Sequence, residues 1–292
     1  MDLVSYIKSV ASQFETAEIF FGHGTDNAFD EAVFLVYGLL GLNFYHELES
    51  VNRELQESEL SMLNEKVQQR IQSHEPVAYL LKQTLFAGLN FHCDKRALIP
   101  RSPIAELVLD GFQSLLSSPP EKVLDLCKGS GCIGIAIANQ FTESHVDLAD
   151  IDKSALELAA SNIALHGFEA RVKIIQSDLF ENLDGVYDLI VCNPPYVSIA
   201  EYKNLPKEYK AEPALGLISD QEGLKIPLTV LREAADYLQP DGLLVLEVGY
   251  SNELLSQRLT EVPIPWIEFE NGGEGVLAMS CEELRQYSGE LN

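Results

Sequence analysis

The sequence predicts an α/β protein, an open and mostly parallel sheet with helices on both sides, preceded by an all-helical segment. Three observations carry this. Residues 1 to about 80 show helical apolar periodicity and no β signal. From about residue 121, short apolar runs alternate with helical patterns, as in a parallel, doubly wound sheet. Within that region "VLDLCKGSGCIGIAIA", residues 123 to 138, reads as strand, glycine turn and helix start.

In the first segment Leu3, Ile7, Val10, Phe14 and Ala17 recur every three or four residues and form one helical face. "NAFDEAVFLVYGLLG", residues 27 to 41, is apolar nearly all round and ends on Gly41, so it reads as the buried helix of the group. "ESELSMLNEKVQQRIQS", residues 57 to 73, is a further amphipathic helix. "TLFAGLNFHCDKRAL", residues 84 to 98, alternates in part and holds Gly88, which predicts a connecting β-hairpin. Next comes a helix with Ser102 as its N-cap and Pro103 at its first position. Its inner face is Ile104, Leu107, Val108 and Phe112. Strands are then predicted at 122–126, 145–150, 171–176, 187–192 and 242–248, and helices at 132–140, 153–165, 222–238 and 251–260. "PWIEFE" and "GVLAMS", joined by "NGGEG", predict a closing hairpin.

The chain has 292 residues, of which 46% are hydrophobic, enough for a sizeable core. Its 45 acidic and 20 basic residues leave a net charge of −25, which repels duplex nucleic acid and anionic membrane. Cys93, Cys127, Cys132, Cys192 and Cys281 are odd in number and contain no C-x-x-C, which points to a reducing cytoplasm and to no disulfide framework. The six His residues form no ligand pair, so no metal is expected. The opening "MDLVSYIKSV" lacks a basic stretch followed by an apolar core, so no signal peptide is expected. No membrane span is expected either, because no apolar run approaches the required length.

Gly129, Gly131 and Gly134 satisfy G-x-G-x-x-G, a weak signal by itself. Asp150 closes the second strand, nineteen residues after Gly131, where a carboxylate can accept from both ribose hydroxyls. A cap of the following helix is the bland alternative for Asp150 and Asp152. Asp125 precedes the glycine turn. It would repel a diphosphate and suits the ammonium of a methionine moiety. Asp178 follows the third strand and can accept from an adenine amine, with Leu179 or Phe180 packing on the ring. Three acids at three successive strand ends favour S-adenosyl-L-methionine over a dinucleotide.

"DLIVCNPPYV", residues 188 to 197, is a buried strand that stops at Asn193-Pro194-Pro195-Tyr196. A planar amide or aryl amine is a poor nucleophile because its lone pair is delocalised. Asn193 Oδ1 and the Pro194 carbonyl, accepting its two N–H bonds, would hold the nitrogen while it gains sp³ character. Tyr196 could stack on the planar group or face a sulfonium methyl. Pro195 keeps the turn stiff. The plain alternative is a rigid loop.

These residues resemble a known family. An open sheet finishing in a hairpin resembles the S-adenosylmethionine-dependent methyltransferases. Asn-Pro-Pro-Tyr with "DLCKGSGCIGIA" resembles the protein glutamine methyltransferases, most of all the type acting on a large-subunit ribosomal protein, the one numbered three. The resemblance extends to "EPVAYLL", "LIPRSPIAELV", "SDLF", "LPKEYKAEPALGL" and "FENGGEGV". It implies a Rossmann-like class I fold with a seven-stranded sheet ending in an antiparallel β-hairpin. It implies a helical substrate-recognition domain over 1–82, a hairpin linker over 83–98 and a methyltransferase domain over 99–292. By position it places Asn193, Pro194, Pro195 and Tyr196 on the glutamine. Asp125, Cys127, Gly129, Ser130, Gly131, Asp150, Asp178, Leu179 and Asn193 go around S-adenosyl-L-methionine. Arg101, Ser102, Glu106, Glu212 and Pro213 go to the site entrance, Arg101 having a surface pairing with Glu106 as its alternative. Lys128 departs from the family pattern; it either contacts the cofactor carboxylate or points to solvent.

The implied substrate is a basic ribosomal protein, free or within an assembling large subunit, in the cytoplasm. Rival readings are the release-factor glutamine methyltransferase, an adenine-specific DNA methyltransferase and a non-catalytic adaptor. The acidic balance argues against direct duplex DNA binding. The target glutamine and the oligomeric state stay open.

Overall fold

The computed structural model describes residues 1–291. Four helices come first: α1 (Leu3–Thr16), α2 (Ala28–Leu40), α3 (Glu57–Ser73) and α4 (Val77–Leu81). Asp2 caps α1 by accepting from the Ser5 N–H, and Asn27 caps α2 by accepting from Asp30. Gly41, at φ +65°, ends α2 in the left-handed conformation its missing Cβ allows. Leu3, Ile7, Val10 and Phe14 pack on Leu35, Val36, Leu63 and Val67, so this segment has its own core.

β1 (Gln83–Phe86) and β2 (Leu89–His92) form the antiparallel hairpin, turning at Ala87 and Gly88, both with positive φ. It is docked rather than loose. Phe86 and Phe91 enter a core of the α/β unit, and His92 N donates to Asn162 Oδ1 at 2.8 Å. α5 (Ile104–Asp110) follows and ends at Gly111. Its cap is shifted one place from expectation: Pro103 sits at the N-cap, and Ser102 Oγ accepts from the Ile104 N–H.

The sheet then builds through β3 (Lys122–Leu126), α6 (Cys132–Gln140), β4 (His145–Asp150), α7 (Lys153–His166), β5 (Val172–Gln176) and β6 (Tyr187–Cys192). After β6 come α8 (Ile199–Asn204) and two 3₁₀ turns, Lys207–Ala211 and Ala214–Gly216. α9 (Lys225–Glu233), β7 (Leu238–Glu247), α10 (Asn252–Arg258), β8 (Val276–Ser280) and α11 (Cys281–Gln286) complete the chain. The spatial order is β5-β4-β3-β6-β7-β8, parallel except for β8. The order reverses between β3 and β6, and that crevice is where open sheets bind ligands. One core, with Leu228, Leu231, Leu255 and Leu284, covers one face; another, with Ile104, Ile135 and Ala159, covers the other.

Two expectations need correction. The sheet has six strands among the described residues, not seven. The partner expected for β8 is reduced to a bridge between Trp266 and Leu277. Pro263 and Pro265 have no N–H to give to a ladder, and the N–H groups of Glu270 and Asn271 are taken by the Glu106 carboxylate. The helix expected over 222–238 begins only at Lys225, because Gln221, Glu222 and Gly223 all have positive φ. Its end passes through a 3₁₀ turn, Ala234–Asp236, into a strand that starts earlier than expected.

Candidate active site

The glycine loop leaves β3 through Cys127, Gly129 and Gly131, each with positive φ. Gly134 lets α6 lie on the sheet, since a Cβ there would come within 2.3 Å of Leu148 and 2.9 Å of Asp125. Asp125 lies beneath the loop and off the cavity wall. Its Oδ2 accepts from the Gly134 N–H at 2.8 Å, while Oδ1 has no partner among the described residues. Burial pushes its carboxyl up to about 7. Gly131 is likewise support rather than wall. Lys128 does not point to solvent: it is 5% exposed, lines the cavity, and its Nζ donates to the Gly129 and Ala155 carbonyls at 2.9 and 3.1 Å. It ties the loop to the start of α7.

Asp150, at the end of β4, lines the cavity. Its Oδ2 accepts from the Gly129 N–H and its Oδ1 from Asp152, both at 2.9 Å. Each oxygen keeps a further lone pair. The helix cap is Asp152, which accepts from Ser154. Cys127, Gly129, Ser130, Asp178 and Leu179 share the wall with Asp150. Phe180 is 1% exposed and stacks on Tyr237 in the core, so of the two candidates for ring packing Leu179 faces the space.

Asn193, Pro194, Pro195 and Tyr196 line the same cavity, about 1210 Å³, from the adjacent strand end. Gly249 brings the chain against the Tyr196 ring, where a Cβ would lie 2.7 Å away. Tyr196 hydroxyl donates to Glu247 Oε1 at 3.2 Å, and Ser251 Oγ donates to the Tyr196 carbonyl at 3.1 Å. Glu247 was not among the residues expected here. The available signal was an acid ending the apolar run "GLLVLE" at a strand's carboxyl end.

The expected entrance residues divide. Arg101, Ser102 and Pro213 line the cavity. Glu212 does not: its carboxylate is wholly buried and takes both Arg101 Nη groups, at 2.7 and 2.8 Å, and the Ile99 N–H at 2.9 Å. His23 Nε2 lies 3.3 Å from its second oxygen. Burial alone would raise Glu212, but the Arg101 charge and the hydrogen bonds from His23 and Arg101 together outweigh it and hold the carboxyl at about 2. Arg101 is therefore not a surface partner of Glu106. Glu106 sits outside the cavity and accepts from Asn271 Nδ2 at 2.7 Å, besides the backbone of Glu270 and Asn271.

A second buried cluster joins the helical segment to this region. Glu208, in the 3₁₀ turn after the Asn-Pro-Pro-Tyr stretch, accepts from Arg70 Nη1 at 3.1 Å and from the Phe20 N–H at 3.0 Å. His74 Nδ1 is 3.0 Å from the same oxygen, and Arg70 Nε donates to Glu31 at 2.6 Å. The loop carrying Phe20, Phe21, Gly22 and Gly24 thereby becomes one wall of the cavity. Nothing in the spacing announces a pair so distant in sequence as Arg70 and Glu208. Among the described residues no three His, Cys, Asp or Glu are grouped to hold a metal, and no helix is long and apolar enough to cross a membrane.

A family model described as "Methyltransferase small domain" matches residues 105–207. The ribosomal protein uL3 glutamine methyltransferase of Francisella tularensis subsp. tularensis (strain SCHU S4 / Schu 4) is 40% identical over 287 residues, spanning 97% of this chain and 91% of that one. The protein of the same name from Neisseria gonorrhoeae (strain ATCC 700825 / FA 1090) is 38% identical over 280 residues, spanning 95% and 94%. A crystal structure of a methyltransferase from Pyrococcus furiosus superposes with a TM-score of 0.51 at 20% identity, over 74% of this chain and 98% of that one, a likeness of fold.

Proposed function

This chain belongs to the ribosomal protein uL3 glutamine methyltransferase family, and we propose that its Asn193–Tyr196 turn holds the accepting glutamine amide while the glycine-loop end of the cavity holds S-adenosyl-L-methionine. The observation that carries this is one cavity wall. It joins the Asn193–Tyr196 turn to Asp150, Asp178 and Leu179 across the reversal of strand order. The wall fits a cationic nucleoside. Its glycine-loop end carries the carboxylates of Asp150, Asp152 and Asp178, and the Lys128 ammonium there donates to two backbone carbonyls. When bound, the cofactor supplies an electrophilic methyl on a sulfonium.

The chain's own residues do the rest. Asp150 accepts from the ribose hydroxyls, Asp178 from the adenine amine, and Leu179 packs on the ring. Asn193 Oδ1 and the Pro194 carbonyl accept the two N–H bonds of the glutamine amide. That fixes the nitrogen and offsets the positive charge growing on it as its lone pair leaves conjugation. Tyr196 packs on the planar group. The helical segment over 1–82, joined by the hairpin region 83–98 to the methyltransferase unit over 99–292, grips the substrate protein. The substrate is uL3, free or in an assembling particle, in the cytoplasm.

The test compares wild type with Asn193→Ala, using tritiated S-adenosyl-L-methionine and purified uL3, with a release factor as a parallel substrate. Turnover on uL3 falls by about 10³-fold, as expected when an acceptor aimed at developing charge is lost, while the melting temperature holds. Turnover of Asn193→Ala near wild type overturns the role of the turn. Preferred labelling of the release factor overturns the substrate.

A further inference from the structure

Glu247 ends β7, the strand beside β6, and is 4% exposed. A carboxylate so placed is costly unless donors surround it. Ser102 Oγ donates to Oε2 at 2.5 Å, and the Tyr196 hydroxyl donates to Oε1 at 3.2 Å. The Asn193 side-chain amide is its third polar neighbour. A carboxylate only accepts, so an amide can meet it only through Nδ2. The other end of the amide, Oδ1, is then left for the cavity.

We propose that Glu247 is the positioning residue of the acceptor site: it turns the Asn193 amide so that Oδ1 meets the glutamine N–H, and it pins the Tyr196 ring by its hydroxyl. This rests on the reading of Asn193–Tyr196 as the clamp on the glutamine. The role requires the ionised form. A protonated Glu247 becomes a donor. Asn193 Oδ1 would then turn to it, leaving Nδ2 facing the glutamine's own N–H, donor against donor.

Burial pushes the Glu247 carboxyl above its ordinary range, while Ser102, Tyr196, the Arg101 charge and Asn193 pull it part of the way back. Arg101 stays charged throughout. Tyr196 and Cys192, on the neighbouring strand end, are kept neutral by burial. Glu212, beyond Arg101, stays ionised to about 2. Val276, paired with Glu247 across β8, is apolar. Turnover should therefore be lost on the acid side as Glu247 takes up its proton. Asp125, under the glycine loop, titrates separately and equally in each variant compared.

The experiment records kcat and KM against pH for methyl transfer to full-length uL3, for wild type, Glu247→Gln, Ser102→Ala and Asn193→Ala. Glu247→Gln lowers kcat by about 10²-fold, the usual cost of misplacing a reacting group, leaves KM for the cofactor unchanged, and loses one titration from the acid side. Ser102→Ala removes a donor to the charged form. Its acid limb moves to higher pH, a shift that a purely structural serine would not give. Ser102→Ala keeps the buried carboxylate, so it serves as the test even where Glu247→Gln fails to fold. An acid limb unmoved in Ser102→Ala, or a Glu247→Gln with wild-type kcat and pH profile, overturns the assignment. If Asn193→Ala turns over like wild type, the clamp itself is wrong. If Asn193→Ala is inactive and the other two variants match wild type, only Glu247's role is wrong.

Discussion

Asp125 holds its proton into the neutral range because burial opposes its charge and only one of its oxygens has a donor. A carboxyl with a folded pKa of about 7 and an unfolded one near 3.8 binds more protons folded than unfolded between those values. Stability therefore falls as pH rises across that window. Asp125→Asn keeps an acceptor for the Gly134 N–H and has no charge to lose. Its melting temperature should stay flat where wild type declines by several degrees from pH 5 to pH 8; parallel declines would show that Asp125 is not responsible. Lys128 gives a second expectation. Lys128→Met strips the Gly129 and Ala155 carbonyls of their donor, which should cost about 1–3 kcal/mol in urea unfolding. It should also weaken cofactor binding measured by calorimetry, because the loop it ties forms the cavity wall. These roles were only half legible. Asp125 and Lys128 stand out in "DLCKGSG", yet whether each faces ligand, solvent or backbone depends on how α6 and α7 pack on the strand.

The 3₁₀ turn Lys207–Ala211 matters out of proportion to its length. Through Glu208 and its neighbour Glu212 it binds Arg70, His74, Phe20, Arg101 and His23 from three separate stretches of chain. Both carboxyls are held below their ordinary range, despite burial, by the cations and N–H groups around them. The Glu212 contribution is complete above about 4.5 and is lost as pH falls toward 2, and that of Glu208 is lost in the same direction. Hydrogen exchange should show residues 207–213 losing protection across that interval before the sheet does. Uniform loss across the fold would count against a local clamp. Glu208→Ala removes one of the two carboxylates that pair with the buried Arg70 and strips the Phe20 N–H of its acceptor, so it should cost about 1–3 kcal/mol in chemical unfolding. Local patterns predicted this stretch only as a loop, since the partners arrive from far away. The closing hairpin is shorter than expected for a related reason. "PWIEFE" has the composition of a strand, but Pro265 and the distant Glu106 carboxylate remove donors at its two ends, leaving the Ile267 N–H to pair with Val276.

At the scale of the whole molecule, 45 acidic residues against 20 basic ones form a negative field, which would speed the approach of a basic partner. For methyl transfer to uL3, kcat/KM should fall as salt rises from about 50 to 500 mM, where the Debye length shrinks several-fold, while kcat changes little. A salt-independent kcat/KM would rule steering out. The sequence by itself determined the strand–helix alternation, the glycine turn and the Asn-Pro-Pro-Tyr stop. Each is a local pattern, set by a few neighbouring residues and their backbone preferences. From these came the fold class, the chemistry at the sheet's carboxyl edge and the family. Tertiary structure alone decided which acids face the cavity and which lie beneath it. It alone placed Glu247 behind Asn193 and Tyr196, and joined the helical segment to the site through Arg70 and Glu208. Burial and hydrogen-bond partnership are properties of pairs, and these pairs meet only once the sheet has ordered its strands.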